Sequence, residues 1–300
     1  MAAKVDQRII DLWDAYVHVH FDRRKFLRDA SVLLGSAAAA AAVMPALASN
    51  YATAAVIDEH DPRIFTERLT FAGATGTIKA YSVQPHDPKH LPGKGAGVLV
   101  VHQNRGLNPH IEDIARRLGT EGYVALAVDF LSPLGGTPTD EEAAMKLFAK
   151  LDGKQTIANA HAAIAFIRKR GEPNGKVGAL GFCWGGGVVN DVVADPAKMN
   201  GANPDAAVVY YGAPPPLDWV HNIKVPLLLN YADPQKDTRL GALLPNYEEV
   251  LKAAKVKFTL YTYDGANHAF NDDTQQARYD AAAAQLAWGR TLAFLKSQLA

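Results

Sequence analysis

The sequence contains a single cysteine, Cys183, among its 300 residues. One thiol excludes an intrachain disulfide and the paired-cysteine motifs of zinc sites, so Cys183 serves either packing or chemistry. The chain also lacks a charge bias, since 31 Lys and Arg residues balance 31 Asp and Glu residues. No net field therefore favours nucleic acid or an anionic membrane surface as a partner.

From about residue 60 onward the chain contains no linker rich in Pro, Gly or Ser and no repeat at a fixed period. The composition, with 48% hydrophobic and 21% charged residues, is ordinary for a globular domain. The sequence therefore predicts two parts. Residues 1–50 form a leader with a preceding helix, and residues 60–300 form one catalytic domain.

The leader has the pattern of an export signal. A basic stretch at residues 22–28 precedes an alanine-rich apolar stretch at residues 30–48, which ends in Ala46-Leu47-Ala48. Its string RRKFL resembles the twin-arginine signal, which predicts the twin-arginine export machinery as a partner and a periplasmic or otherwise exported protein. The stretch is too weakly apolar for a permanent anchor.

An alternative interpretation is an amphipathic helix followed by a buried, alanine-rich helix. The segment at residues 5–21 is long for the start of a signal, and its apolar residues lie near helical spacing. Cleavage after Ala48 is not required by the pattern. A retained leader would pack on the domain or tether it.

The remainder alternates between short apolar runs and amphipathic stretches, which is typical of a mostly parallel twisted sheet with helices on both faces. The predicted buried strands are 98–101, 124–128, 177–180, 206–211 and 226–230. The predicted helices are 110–118, 156–170, 248–255 and 277–299. Residues 67–71 and 78–84 flank a Gly-rich turn and predict an antiparallel hairpin at one edge.

The strongest local motif is Gly181-Phe182-Cys183-Trp184-Gly185, which follows a predicted strand and begins a helix. This is the G-x-C-x-G form of a nucleophile elbow, in which tiny residues on both sides permit a strained turn. We expect the sulfur to be exposed above the sheet edge at a helix N-terminus, where thiolate is favoured. The N–H of Trp184 would form half of an oxyanion hole. The alternative is a buried structural cysteine.

In an α/β-hydrolase the acid and the histidine follow the nucleophile in chain order. His268 follows the last predicted strand and is the predicted base, whereas His18 and His20 lie in the leader and are not selected. Asp233 and Asp237 compete for the acid. Asp237 is favoured because Pro234 gives Asp233 the context of a turn residue.

These motifs together resemble the dienelactone hydrolase family of α/β-hydrolases over about residues 65–298. The resemblance rests on residues 181–186, 263–270, 102–118 and 122–127. It implies a carboxymethylenebutenolidase-type carboxylic ester hydrolase. Such an enzyme cleaves dienelactones, which are cyclic enol esters, through a cysteine thioester and a Cys-Asp-His triad, with neither a metal nor an organic cofactor.

The resemblance also implies roles for the loop after the strand at 98–101. The family has a glutamate there that helps to activate the cysteine, and the matching residue in this sequence is Gln103, whose amide cannot accept a proton. Asn104 would offer its N–H to the oxyanion hole. Arg105 is a candidate for holding an anionic substrate group, or else an ion-pair residue. Tyr211 is a candidate for lining the pocket.

Two other functions are compatible with the sequence. A general exported carboxylesterase would use the same residues on simpler esters. A catalytically weak binding protein would keep the fold, and Gln103 is the residue that permits this interpretation.

Overall fold

The computed structural model describes residues 5–19, 22–53, 55–170, 175–197 and 203–300. The described residues fold around one eight-stranded sheet, in which the strands lie side by side in the order β1-β2-β4-β3-β5-β6-β7-β8. The strands are β1 (Ile64–Gly73), β2 (Gly76–Pro85), β3 (Gly97–Val101), β4 (Val124–Val128), β5 (Val177–Phe182), β6 (Ala206–Tyr210), β7 (Leu227–Ala232) and β8 (Phe258–Tyr263).

β1 and β2 form the predicted antiparallel hairpin, and β2 joins the rest of the sheet by an antiparallel pairing with β4. All the remaining pairings are parallel. β3, β5 and β6 are buried along their whole length, as expected for strands covered on both faces. The predicted α/β-hydrolase class is therefore confirmed, with strand ends shifted by at most three residues.

Seven helices of the described residues accompany this sheet. They are α4 (Pro109–Thr120), α5 (Glu141–Phe148), α6 (Gly153–Arg170), α7 (Trp184–Ala194), α8 (Thr238–Gly241), α9 (Leu244–Ala253) and α10 (Ala281–Leu299). Capping residues fix where several of these helices begin. Asn108 caps α4 through its side chain, with Pro109 in the first turn, and Asp280 caps α10 in the same way.

Three further helices precede the sheet: α1 (Gln7–Val19), α2 (Arg23–Leu34) and α3 (Ala37–Leu47). Their apolar faces form a separate core cluster that includes Ile9, Trp13 and Phe26 and reaches Met145 of α5. The described residues between 5 and 47, which include these three helices, are called the N-terminal segment below. The helical spacing predicted within residues 5–21 is confirmed over α1, while residues 20 and 21 lie outside the described residues, and the segment lies against the catalytic domain.

None of the described helices is by itself long and apolar enough to cross a bilayer. α2 and α3 meet that length and composition only when taken together, and the chain bends by 113° between them.

Candidate active site

The turn between β5 and α7 holds Cys183 in a sharply bent conformation, with φ 54° and ψ −117°. Two glycines make this turn possible. A Cβ at Gly181 would lie 2.1 Å from the carbonyl oxygen of Gly185, and a Cβ at Gly185 would lie 2.4 Å from that of Val101. Both distances are far inside van der Waals contact with rigid backbone. The elbow therefore forms where the sequence predicts it, and for the steric reason expected.

The expected exposure of the sulfur is wrong. Cys183 is only 8% exposed, because α1 lies across the elbow. The amide of Asn104 donates a 2.7 Å hydrogen bond to the carbonyl oxygen of Val17, which fixes the end of α1 beside the loop that follows β3. The N-terminal segment thus forms one wall of the site.

The loop after β8 brings His268 to the elbow, and the loop after β7 brings Asp237 behind it. His268 Nδ1 lies 2.6 Å from Asp237 Oδ2, and both side chains are buried. Asp233 instead accepts hydrogen bonds from the backbone N–H groups of Gln235 and Gly265 at the surface. The two candidate carboxylates therefore differ in what they contact. Of the two, Asp237 is the one that is hydrogen-bonded to His268.

A second histidine reaches the sulfur, and the sequence interpretation missed it. His18 Nε2, on α1, lies 3.3 Å from Cys183 Sγ. Its Nδ1 lies 2.7 Å from the carbonyl oxygen of Asp14 and 3.3 Å from the Asp14 carboxylate. The sequence places His18 in the leader, which does not select it for the site, and His20 lies outside the described residues. The signal that could identify His18 is its spacing from Asp14, four residues earlier on one predicted helix.

The charges around the sulfur favour thiolate. Burial alone would raise the pKa of Cys183, but the imidazoles of His18 and His268 hold that pKa well below its ordinary value. Burial would lower the pKa of His268, yet Asp237, the thiolate and Asp14 raise it to about 10. The pKa of His18 is raised too, since Cys183 and Asp14 outweigh its burial. The stable pairing is thiolate with imidazolium.

A cavity of about 320 Å³ opens beside the sulfur. Its walls combine apolar rings with a few polar groups, and they include Val17, His18, Asn104, Phe148, Trp184 and Tyr211. The predicted pocket residue Tyr211 and the two predicted oxyanion residues, Asn104 and Trp184, all border this cavity. A small ester with an acyl group of modest size fits a volume of this order.

Gln103 and Arg105, on the loop after β3, are both buried. Arg105 donates from Nε to Glu141 at 3.0 Å, which matches the ion-pair alternative of the sequence interpretation. Its second terminal nitrogen, Nη2, has no partner among the described residues. The amide nitrogen of Gln103 is likewise buried and unpartnered in that part of the chain.

Two groups of side chains among the described residues have donor atoms close enough to hold a metal ion: His18 with Cys183 and His268, and His110 with Asp272 and Asp273. The second group is an ion-pair network, because Arg117 also binds Asp273. The first is a thiolate and two imidazoles, a donor set that zinc accepts. The same atoms equally form a nucleophile between two bases.

Chemically, the site combines an activated thiolate at a helix N-terminus, a buried His-Asp pair and an adjoining cavity. This is the set needed for covalent acyl transfer: a nucleophile, a proton carrier and room for a carbonyl compound.

Comparison with known proteins agrees with this architecture. The model of the dienelactone hydrolase family matches residues 78–299, and a second model, described as YqhI-like, matches residues 1–35. The YqhI-like match ends at residue 35, after α2, and the dienelactone hydrolase match begins within β2, so neither model covers α3 or β1.

Individual relatives point the same way. A Synechocystis protein named "Putative carboxymethylenebutenolidase" is 30% identical and is matched over 79% of this chain and 98% of its own. An Escherichia coli (strain K12) protein, "Putative hydrolase fragment YghX", is 41% identical over 115 residues, 38% of this chain and 96% of that protein. A crystal structure titled "Putative Dienelactone Hydrolase" from Klebsiella pneumoniae superposes with a TM-score of 0.65 at 25% identity, covering 77% of this chain and 98% of that one.

Proposed function

Because the chain belongs to the dienelactone hydrolase family, we propose that this hydrolase cleaves enol lactones or related esters through a Cys183 thioester. The observation that carries the proposal is the sulfur of Cys183 at a strained elbow beside the His268–Asp237 pair, whose Nδ1–Oδ2 distance is 2.6 Å. These residues form the proposed Cys-Asp-His triad.

The proposed reaction proceeds in two steps. Cys183 thiolate attacks the ester carbonyl carbon, and the N–H groups of Asn104 and Trp184 stabilise the oxyanion. The carbon–oxygen bond breaks, and the leaving oxygen keeps the electron pair and takes a proton from the His268 imidazolium, which becomes neutral. Water, deprotonated by neutral His268, then attacks the thioester carbonyl. The carboxylic acid is released, and the Cys183 thiolate and the His268 imidazolium are regenerated.

The chemistry of the leaving group supports enol esters as substrates. A thiolate whose pKa is lowered by two imidazoles is well populated but a weaker nucleophile than an ordinary thiolate. An enolate departs without full protonation, so it suits such a nucleophile better than an alkoxide or an amine. The mixed apolar and polar walls of the cavity fit a small carbonyl compound.

The test is a substrate panel on the full chain. Dienelactone and aryl esters should both be hydrolysed, with dienelactone favoured, and Cys183→Ala should lose at least about 1,000-fold of the activity. A thioester on Cys183 should be visible by mass spectrometry after rapid acid quench. Preference for simple aryl esters would instead support a general carboxylesterase. Full activity in Cys183→Ala, or no turnover of either class, would exclude the proposed mechanism.

We also propose that the protein is exported by the twin-arginine route with the N-terminal segment retained. Arg23 and Arg24 are exposed on α2, and this route carries folded proteins. Export therefore does not require α1 to leave the site. Cell fractionation with N-terminal sequencing tests both points: a periplasmic protein beginning after Ala48 would contradict retention, and a protein confined to the cytoplasm would contradict export.

A further inference from the structure

We propose that Asp14 and His18 of the N-terminal segment form a second acid–base pair on Cys183, with His18 accepting the thiol proton. The active site is then built from two parts of the chain, and its catalytic residues include one from α1. This inference rests on the proposed function of Cys183 as a nucleophile.

The orientation of the His18 ring supports this role. Its Nδ1 faces only acceptors, the carbonyl oxygen of Asp14 at 2.7 Å and the Asp14 carboxylate at 3.3 Å. A nitrogen in that position carries a proton, so in the neutral ring the lone pair is on Nε2. That atom is the one 3.3 Å from Cys183 Sγ. His18 is therefore held in the tautomer that can deprotonate the thiol.

His268 is oriented by the same chemistry but has a different contact. Its Nδ1 also faces a carboxylate, Asp237. Its Nε2 is buried with no hydrogen-bond partner among the described residues, and the two imidazole rings meet edge to face with centroids 4.7 Å apart. Both imidazoles stabilise the thiolate, but their tasks differ: His18 is within hydrogen-bond distance of the sulfur, while Nε2 of His268 is available to the leaving oxygen and the water.

The approach of α1 to the elbow is fixed at both ends. Near its start, Gln7 donates to Asn267 at 2.7 Å and accepts from Lys236 at 2.9 Å. Near its end, Asn104 binds the Val17 carbonyl. Between them, buried Arg278 donates to Asp14 at 3.0 Å. All four partners lie in the loop after β3, the loop after β8 or the loop that leads to α8, and the same loops carry Asn104, His268 and Asp237.

Several charged or titratable groups surround the sulfur of Cys183. The two imidazoles have Asp14 and Asp237 behind them, and the guanidinium groups of Arg105 and Arg278 also interact with the thiolate. The hydroxyl of Tyr211 faces the same charge, and the pKa of Tyr211 is held well above its ordinary value by burial and by neighbouring negative groups. The imidazoles are the only groups among these that can accept the thiol proton at neutral pH.

The proposed step is balanced within the site. The Sγ–H bond breaks, its proton moves to His18 Nε2, and its electron pair stays on sulfur as the nucleophile. Asp14 stabilises the imidazolium that results, as a carboxylate does for the histidine of a triad. Thioester hydrolysis releases the sulfur again as thiolate beside the His18 imidazolium, so the ion pair is restored for the next cycle.

The experiment measures the thiol directly in the full chain. Iodoacetamide alkylation of Cys183 is followed against pH in the wild type, His18→Gln and Asp14→Asn, with His86→Gln as the matched control at an exposed position. We expect the alkylation midpoint to rise by at least about one pH unit in His18→Gln and by less in Asp14→Asn. Single-turnover acylation should fall by about 100- to 10,000-fold in His18→Gln. The control should match the wild type.

Chemical rescue separates a proton acceptor from a structural contact. His18 borders the cavity, so His18→Ala leaves space into which free imidazole can diffuse. We expect added imidazole to restore acylation at least about tenfold in His18→Ala and not in His86→Gln. An unchanged alkylation midpoint in folded His18→Gln, with no rescue of His18→Ala, would overturn this inference. If Cys183→Ala were active as well, the proposed function itself would fail; an inactive Cys183→Ala beside a normal His18→Gln would remove only the role of His18.

Discussion

Three non-glycine residues with positive φ border the site: Cys183 at 54°, Tyr211 at 38° and Ala269 at 65°. Each such conformation costs about 1–3 kcal/mol for a side chain with a Cβ, and it persists only where neighbours hold it. Cys183 N–H donates to the Tyr210 carbonyl at 3.0 Å, and Tyr211 N–H donates to the Asn230 carbonyl at 2.7 Å. Backbone strain is therefore found at the nucleophile Cys183 and at two residues beside His268, namely Tyr211 and Ala269.

The carboxylate that orients His268 can be tested by a matched pair of substitutions. Asp237→Asn replaces the acceptor of Nδ1 by an amide and favours the wrong tautomer, so kcat should fall by about 1,000- to 10,000-fold. Asp233→Asn changes a nearby carboxylate that does not contact the histidine, and its kcat should stay within about twofold of the wild type. Steady-state kinetics on an aryl ester measures both. Similar losses in the two variants would contradict the assignment.

The steric requirement of the elbow predicts a large difference between two glycine substitutions. Gly185→Ala would place its Cβ 2.4 Å from the Val101 carbonyl oxygen, and we expect a loss of at least about 3 kcal/mol in the free energy of unfolding. Gly289→Ala, in the middle of α10 with open space around the new methyl group, should stabilise by about 0.5–1 kcal/mol. Urea unfolding measures both values, and equal stabilities would contradict the steric account.

At the scale of elements, the N-terminal segment is held by an aromatic cluster of its own. Trp13 packs against Tyr16 and Phe26 with ring centroids 5.2 and 5.3 Å away. Phe26 belongs to the string RRKFL and is fully buried, while the arginines before it are exposed. One short string thus presents its charges to solvent and uses its ring for packing.

Trp13→Ala should release this segment without unfolding the sheet. Removal of the buried ring should cost about 3–5 kcal/mol of local stability. Hydrogen–deuterium exchange should therefore accelerate in α1, α2 and α3 while β3, β5 and β6 stay protected. Val32→Ala, at a position 79% exposed, is the control and should exchange like the wild type. Equal acceleration throughout the chain would show that the segment and the sheet unfold as one unit.

For the whole molecule, the raised pKa of His268 links stability to pH. Its folded value of about 10 lies above the unfolded value of about 6.5. The stability from its charged form is therefore complete below about pH 6.5 and is lost as pH rises through about 10. Above about pH 8.5 an unfolded cysteine is already thiolate, so the raised pKa values of His268 and His18 account for the pH dependence from this site in that range.

The corresponding measurement compares the wild type with His268→Gln by urea unfolding across pH. The advantage of the wild type in the free energy of unfolding should shrink from about pH 8.5 to above about pH 10. A constant difference across this range would mean that His268 is neutral in the folded protein.

The sequence predicts most of the sheet because buried parallel strands have a simple signature of continuous apolar residues, as in β3 and β5. It predicts Cys183 and His268 because the elbow and the loop after the last strand have fixed places in the chain. It does not predict His18, since that role depends on how α1 docks, and docking arises from contacts such as Asn104 with Val17 that no local pattern encodes. The expected exposure of the sulfur is wrong for the same reason.

The position of His18 has a consequence for the order in which the protein is made. α1 leaves the ribosome early, yet Gln7 is tied to Asn267, 260 residues later, and His18 meets a cysteine 165 residues away. Before Asn267, His268 and Arg278 have been synthesised, Cys183 lacks His268 and α1 lacks two of its partners, so we expect the thiol to be largely protonated at neutral pH. We therefore expect the nascent chain to carry a less reactive cysteine, and the reactive thiolate to appear only once both histidines are in place.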